Sequence, residues 1–239
     1  MARPRLVSEH SGAGEDFRGN GRADREAAEE KLCLFEDLPT GCRAMRAMSL
    51  DAVQTQSYPL DRNLILTELE RTFAAISEPE IAAAQEMILT SNRLFVMGAG
   101  RTGLALKMAA MRLMHLGLVV HVAGEVTTPA IGPGDLLLVA SGSGATAGPV
   151  YAAEVAVKAG AQVLALTASP ASKLATLAQG VVVIAAAAKQ DRRGAISKQY
   201  AGALFEQSIL LVMDAMFQAM WRQSGASAEE LWTRHANLE

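Results

Sequence analysis

Along most of this chain apolar and polar residues alternate with a recognisable period, and at its start they show none. Residues 1–48 are polar and Gly-rich, as in Ser11-Gly12-Ala13-Gly14-Glu15-Asp16. Such a composition buries too little surface to offset the entropy of ordering it. A disordered or weakly ordered extension is expected there, with Met45 or Met48 as the natural start and the folded domain over 49–239. Over 60–75, Leu64, Leu66, Leu69 and Phe73 recur near helical spacing. Ser77-Glu78-Pro79-Glu80 then reads as a helix start: a capping serine, a first-turn proline and two carboxylates at the positive end of the helix dipole.

Beyond residue 90 the period switches repeatedly. Short apolar runs at 93–97, 119–122, 135–140, 162–166 and 181–184 predict strands. Helices are predicted at 104–116, 147–159, 172–178 and 200–222. Apolar strands alternating with helices predict an α/β fold: a five-stranded parallel sheet, doubly wound, in a three-layer αβα sandwich.

Composition agrees with a sizeable core, since 50% of the residues are hydrophobic and 20% charged. A net charge of −3 without a clustered basic face argues against nucleic acid as a partner. Cys33 and Cys42 have no spacing for a disulfide framework or a zinc site, which suits a reducing cytoplasm. Arg3 and Arg5 are followed by no apolar run, so no secretory signal is expected. Gly, Pro or charge interrupts the apolar stretches, so no membrane span is expected either.

Two turns carry the candidate chemistry. In open parallel sheets ligands bind at the carboxyl ends of the strands. Gly98-x-Gly100-x-x-Gly103 follows the first strand, and Glu125 lies near the place where a dinucleotide site would want a carboxylate. A nicotinamide reading of that turn therefore stays open. Ser141-Gly142-Ser143-Gly144-Ala145-Thr146 follows the third strand and opens a helix. Three hydroxyls on a glycine-permitted loop at a helix N-terminus suit a phosphate monoester, and no P-loop lysine accompanies them. The plain alternative is an ordinary Ser/Thr cap.

Glu206 lies on an apolar helical stripe with Ile209, Leu210 and Met213. A carboxylate there is costly unless it is paired or poised for chemistry, and partial burial would raise its pKa. It is either a base or one half of an ion pair with Arg101 or Arg112. His115 ends the helix that Leu104, Met108 and Met111 lead along, and it is either a dipole partner or an acid/base. His235 is a further candidate. Glu125 and Asp135 read as solvated carboxylates, and Lys189 and Lys198 flank a charged surface loop.

Several blocks resemble the 6-phospho-3-hexuloisomerases, within the wider sugar-isomerase (SIS) domain superfamily. They are residues 94–103, Met111-Arg112-Leu113-Met114-His115, Gly124-Glu125-Val126-Thr127-Thr128-Pro129, Ser141-Gly142-Ser143-Gly144, Leu204-Phe205-Glu206 and the tail from Arg234. The resemblance spans about residues 50–239. It implies that Thr102, Ser141, Ser143 and Thr146 hold a substrate phosphate, and that Gly100 and Arg101 contact the substrate. It implies Glu206 as base, with His115 contributed to a neighbouring subunit's pocket. Two positions depart from the pattern: Thr102 stands where Ser is usual, and Ala145 where Glu is common.

The implied reaction interconverts D-arabino-3-hexulose 6-phosphate and D-fructose 6-phosphate through an enediol, without metal or other cofactor. The phosphate blocks O6 of the 3-ketose, so it cannot close a five-membered ring and reacts open-chain. The resemblance also implies a homodimer or tetramer with intersubunit active sites, and functional coupling to hexulose-6-phosphate synthase. An arabinose 5-phosphate-type isomerase and a catalytically silent sugar-phosphate sensor are the rival readings. A sensor acting on transcription would need an upstream DNA-binding helix pair, whose pattern residues 1–48 lack.

Overall fold

A computed structural model describes residues 57–186 and 196–238. The expected N-terminal extension, Cys33, Cys42 and Lys189 lie outside the described residues. The chain opens with α1 (Ser57–Ala74) and α2 (Glu78–Thr90), followed by β1 (Leu94–Gly98), α3 (Gly100–His115) and β2 (Val120–Val122). Then come β3 (Leu136–Ala140), α4 (Ala147–Lys158), β4 (Gln162–Thr167), α5 (Lys173–Leu177) and β5 (Gly180–Val183). The long α6 (Ala203–Ser224) and the short α7 (Ala228–Trp232) finish it.

The five strands pair in parallel in the order β2-β1-β3-β4-β5. Successive strand residues face opposite sides. Leu94, Val96, Leu136, Leu138, Leu164 and Leu166 therefore pack with α2, α3 and α6 in one core. Phe95, Leu137, Val139, Val163 and Ala165 pack with α4 and α5 in the other. This is the doubly wound three-layer sandwich that the strand–helix alternation predicts. Small residues let α3 approach closely: Ala105, Ala109 and Ala110 lie buried beside Leu106 and Leu113.

The predicted cap of α2 forms as read. Ser77 Oγ accepts from the Glu80 N–H at 3.4 Å, and Pro79 sits in the first turn. Glu80 does more than meet the dipole, because its Oε2 also accepts from the Val183 N–H at 2.9 Å and ties α2 to β5.

The helices differ in detail from their sequence reading. Leu66 is exposed, and α1 instead buries Glu68 and Thr72, with Leu69 and Phe73 half-buried against the core. Leu104, Met108 and Met111 stay exposed on α3, because the sheet takes the alanine-rich face. The helix predicted from residue 200 begins at Ala203, since Ala201 and Gly202 are left-handed, at φ 47° and 81°. And α6, with 22 residues, is long and apolar enough to cross a membrane by length and composition alone. Here it is a core helix, with Ile209, Val212, Met213 and Met216 packed onto the sheet. The expectation also left out α7, whose start is a capping box between Ser227 and Glu230.

Asp135 is no solvated carboxylate either. It is 2% exposed, accepts from Arg93 at 2.6 and 2.9 Å and from the Gly132 N–H at 2.8 Å. The hydrogen bond from Arg93, foremost, holds its carboxyl below the usual carboxylate range, against the opposing effect of burial. A depressed folded pKa contributes stability above the ordinary Asp value, and that stability is lost as pH falls through the folded value. Asp135→Asn is expected to lower stability by about 1–2 kcal/mol at neutral pH. Thermal melts from pH 7 to 3 should show the wild-type advantage shrinking below about pH 4.

Candidate active site

β1 and β3 are neighbours in register from Leu94↔Leu136 to Gly98↔Ala140. The turns that follow them therefore leave the same sheet edge side by side. β1 feeds α3 on one face and β3 feeds α4 on the other. The chain diverges there, and a crevice opens at the switch in strand order.

The first turn depends on glycine. Gly100 has φ +59°, and a Cβ on Gly103 would stand 2.5 Å from the Gly98 carbonyl oxygen. The third glycine of the motif thus serves close helix–strand packing, which sets Thr102, 4% exposed, into the first turn of α3. Glu125, which a dinucleotide site would have used, is exposed and pairs with Lys107 at 2.5 Å.

The second turn has an unusual cap. Thr146 occupies the N-cap of α4, but among the described residues its side chain caps no N–H. Its hydroxyl bonds Ser141 Oγ at 3.0 Å instead. The first N–H groups of a helix have no intrahelical partner, so those of Ala147 and Gly148 remain available to an anion. Ser143 Oγ accepts from the Ala145 N–H at 3.3 Å. Beneath the loop, Thr167 Oγ1 donates to the Gly142 carbonyl at 3.4 Å, and the Gly144 carbonyl accepts from the Leu174 N–H at 3.0 Å. Gly144 has φ +60°, and a Cβ there would collide with Ser172 Oγ. Sequence reading missed Thr167 and Ser172. The signal was a polar residue closing an otherwise apolar strand at its carboxyl end.

Glu206 meets these turns from the first turn of α6. It is 7% exposed, and its Oε2 pairs with Arg101 Nη1 at 3.1 Å. The ring of the preceding Phe205 lies under Gly142, 3.3 Å from where a Cβ would be. Glu206 is thus buried on the apolar stripe, and of the two arginines weighed from sequence it pairs with Arg101. The Arg101 side chain is 63% exposed, so the cation reaches solvent at the mouth of the crevice.

His115 lies elsewhere. Arg101 and His115 are 14 residues apart on one straight helix, about 21 Å at 1.5 Å per residue. His115 is 5% exposed and stacks on His235 at 5.1 Å, with Trp232 on His235 at 4.5 Å. Its backbone carbonyl accepts from Arg234 at 3.2 Å. Burial, then the nearby His235 and Arg112, hold its pKa below the ordinary imidazole value. With Arg112, Asp214 and Trp221 the two histidines line a cavity of about 550 Å³. Within one chain the structure thus groups Gly100, Arg101, Thr102, Ser141, Ser143, Thr146 and Glu206, and sets His115 and His235 apart. Lys198 is exposed on the segment before α6.

Hydroxyl-lined turns and open N–H groups at the carboxyl edge of a doubly wound sheet make the arrangement of a phosphate-ester-binding α/β protein. Residues 87–211 match the SIS domain. A 3-hexulose-6-phosphate isomerase of Mycobacterium gastri is 56% identical over 177 residues, 74% of this chain and 89% of that protein. One of Bacillus subtilis is 39% identical, over 73% of this chain and 95% of its own. The chain belongs to the SIS domain family and, within it, to the 3-hexulose-6-phosphate isomerases. Among solved structures, a hypothetical protein 31% identical superposes with a TM-score of 0.70, covering 77% of this chain and 98% of its own. One from Methanococcus jannaschii, 24% identical with a TM-score of 0.65 over 75% of this chain and 99% of its own, shares the fold.

Gly103→Ala is expected to destabilise the protein by about 1–3 kcal/mol, because the backbone at Gly98 cannot yield as a side chain would. Thermal unfolding measures that loss. Turnover in the folded fraction should fall as well, since Thr102 moves with the turn.

Proposed function

We propose that this protein interconverts D-arabino-3-hexulose 6-phosphate and D-fructose 6-phosphate, with Glu206 as the base. The observation that carries the assignment is a buried carboxylate brought beside two hydroxyl-bearing phosphate turns. Thr102, Ser141, Ser143, Thr146 and the first N–H groups of α4 hold the phosphate. The remote phosphate then anchors the open chain so that C2 and C3 lie at the carboxylate. Glu206 takes the C2 proton, the C3 carbonyl becomes the second enediol oxygen, and the proton returns at C3 as the C2 carbonyl forms. Gly100 and Arg101 contact the sugar, and the Arg101 guanidinium steadies both the carboxylate and the enediol oxygens. The atoms balance as an internal redox exchange between two carbons, with no external oxidant.

An acid must move protons between the two oxygens. His115 serves that purpose from a second copy of the chain, because its own α3 carries it away from its own pocket. The exposed stripe of Leu104, Met108 and Met111 supports a dimer or tetramer with active sites between subunits. The protein works in the cytoplasm, in the ribulose monophosphate pathway. Hexulose-6-phosphate synthase supplies its substrate there, for formaldehyde assimilation or pentose metabolism.

Purified protein should form fructose 6-phosphate from synthetic D-arabino-3-hexulose 6-phosphate without added metal. Glu206→Gln should lower kcat by about 10²–10⁴-fold, the span of general-base contributions. Binding of the sugar phosphate without turnover would point to a sensor, and near wild-type turnover in folded Glu206→Gln would remove the base. Intersubunit sites have their own check. Glu206→Gln and His115→Ala proteins, each inactive alone, should recover a fraction of activity when unfolded and refolded together. Two proteins that stay inactive after mixed assembly would overturn the sharing of one site between subunits.

A further inference from the structure

Glu68 is a buried carboxylate that the reaction does not use. It lies on α1, 7% exposed, and every hydrogen bond it accepts comes from one short segment. Ser197 Oγ donates to its Oε2 at 2.7 Å, the Lys198 N–H donates to its Oε1 at 2.7 Å, and Gln199 Nε2 donates to Oε2 at 3.0 Å. Ser197 Oγ in turn accepts from the Gln199 N–H at 3.0 Å. Burial alone would push the Glu68 carboxyl up, but these hydrogen bonds and the nearby Arg71 together hold it below the usual range. The carboxylate is thus charged and fully engaged. Charge-assisted hydrogen bonds of this kind are roughly twice as strong as neutral ones.

The clamped segment leads directly into α6. The Tyr200 carbonyl accepts from the Ala203 N–H at 3.0 Å, and the Gly202 carbonyl accepts from the Glu206 N–H at 3.3 Å. Between them the chain turns through Ala201 at φ 47° and Gly202 at φ 81°. A left-handed alanine is strained, because its Cβ crowds the neighbouring carbonyl oxygen. It persists only where the surroundings over-determine it. Glu68 supplies that restraint on one side, and the Phe205 ring packed under Gly142 supplies it on the other.

We infer that Glu68 is a positioning residue for the isomerisation: through Ser197, Lys198 and Gln199 it fixes the lead-in to α6 and so sets Glu206 at the substrate carbons. This rests on the reading of Glu206 as base. The phosphate turns are built on β1 and β3, and they meet α6 through Phe205 and the Arg101–Glu206 pair rather than through this segment. Loss of the clamp therefore disturbs the reacting end and spares phosphate binding.

The test compares Glu68→Ala and Glu68→Gln with the wild-type protein, their folding verified by circular dichroism and thermal melts. The amide keeps the shape and one acceptor but opposes the Lys198 N–H with a second donor. kcat is expected to fall about tenfold or more in Glu68→Ala, with KM changed less than about twofold, the pattern of an interaction that matters at the transition state. In the Glu206→Gln background Glu68→Ala should cost almost nothing further, because residues acting through one group are not additive. A general structural defect would multiply the two losses, and that outcome overturns the inference. So does wild-type kcat in folded Glu68→Ala beside an inactive Glu206→Gln. Wild-type turnover in Glu206→Gln would instead remove the base assignment, whatever Glu68→Ala does. If Glu68→Ala does not fold, Ser197→Ala removes one of the three hydrogen bonds and must show the same split between kcat and KM at smaller size; an unchanged kcat there overturns the inference.

Discussion

Parallel pairing of β1 with β3 decides where everything else in this molecule can go. Both strands end at the same edge, Gly98 beside Ala140, yet their helices depart to opposite faces of the sheet. Between the departing turns, hydroxyls and the open N–H groups at the start of α4 converge. A one-residue slip in that register would reverse the facing of every strand side chain and separate the two turns. Close packing of the two cores, one on each side, opposes such a slip.

Around those turns the polar groups fall into a layer that faces the sheet edge and one that supports it. Thr146 leaves the start of α4 uncapped by spending its hydroxyl on Ser141. Thr167 and Ser172 hold the loop from below. Arg101 balances the charge of Glu206 while remaining open to solvent. On the far side of α6, Glu68 fixes the chain that leads into it. The helix itself cannot position Glu206 with comparable firmness, since its first turn has few intrahelical hydrogen bonds to resist tilting.

Much of this was legible from residue order. Strand period, glycine spacing and the Ser77 cap report local backbone needs, and local needs are written in adjacent residues. The two hydroxyl-bearing turns and the buried place of Glu206 were readable because their residues defy the composition around them: hydroxyls after an apolar strand, a carboxylate in an apolar stripe. What escaped depends on choices between equivalent faces. α3 offers one apolar face of Leu104, Met108 and Met111 and another of alanines with Leu106 and Leu113, and only the sheet decides between them. α1 looked ordinary because burying Glu68 makes sense only once Ser197, 129 residues away, is brought against it, and burying Thr72 only once the Ala185 carbonyl is. Asp135 misled for the same reason, since its partner Arg93 is 42 residues distant in sequence and adjacent across two strands.

Ala201 sets a trade-off for any lineage carrying this sequence. Among the described residues it is the one non-glycine residue in the left-handed region. Glycine at that position would relieve the strain, but it would also add conformational freedom to the unfolded chain and to the hinge before α6. Adaptation to heat and adaptation for turnover therefore pull this single codon in directions set by backbone geometry alone, and the methyl group records which of them has prevailed.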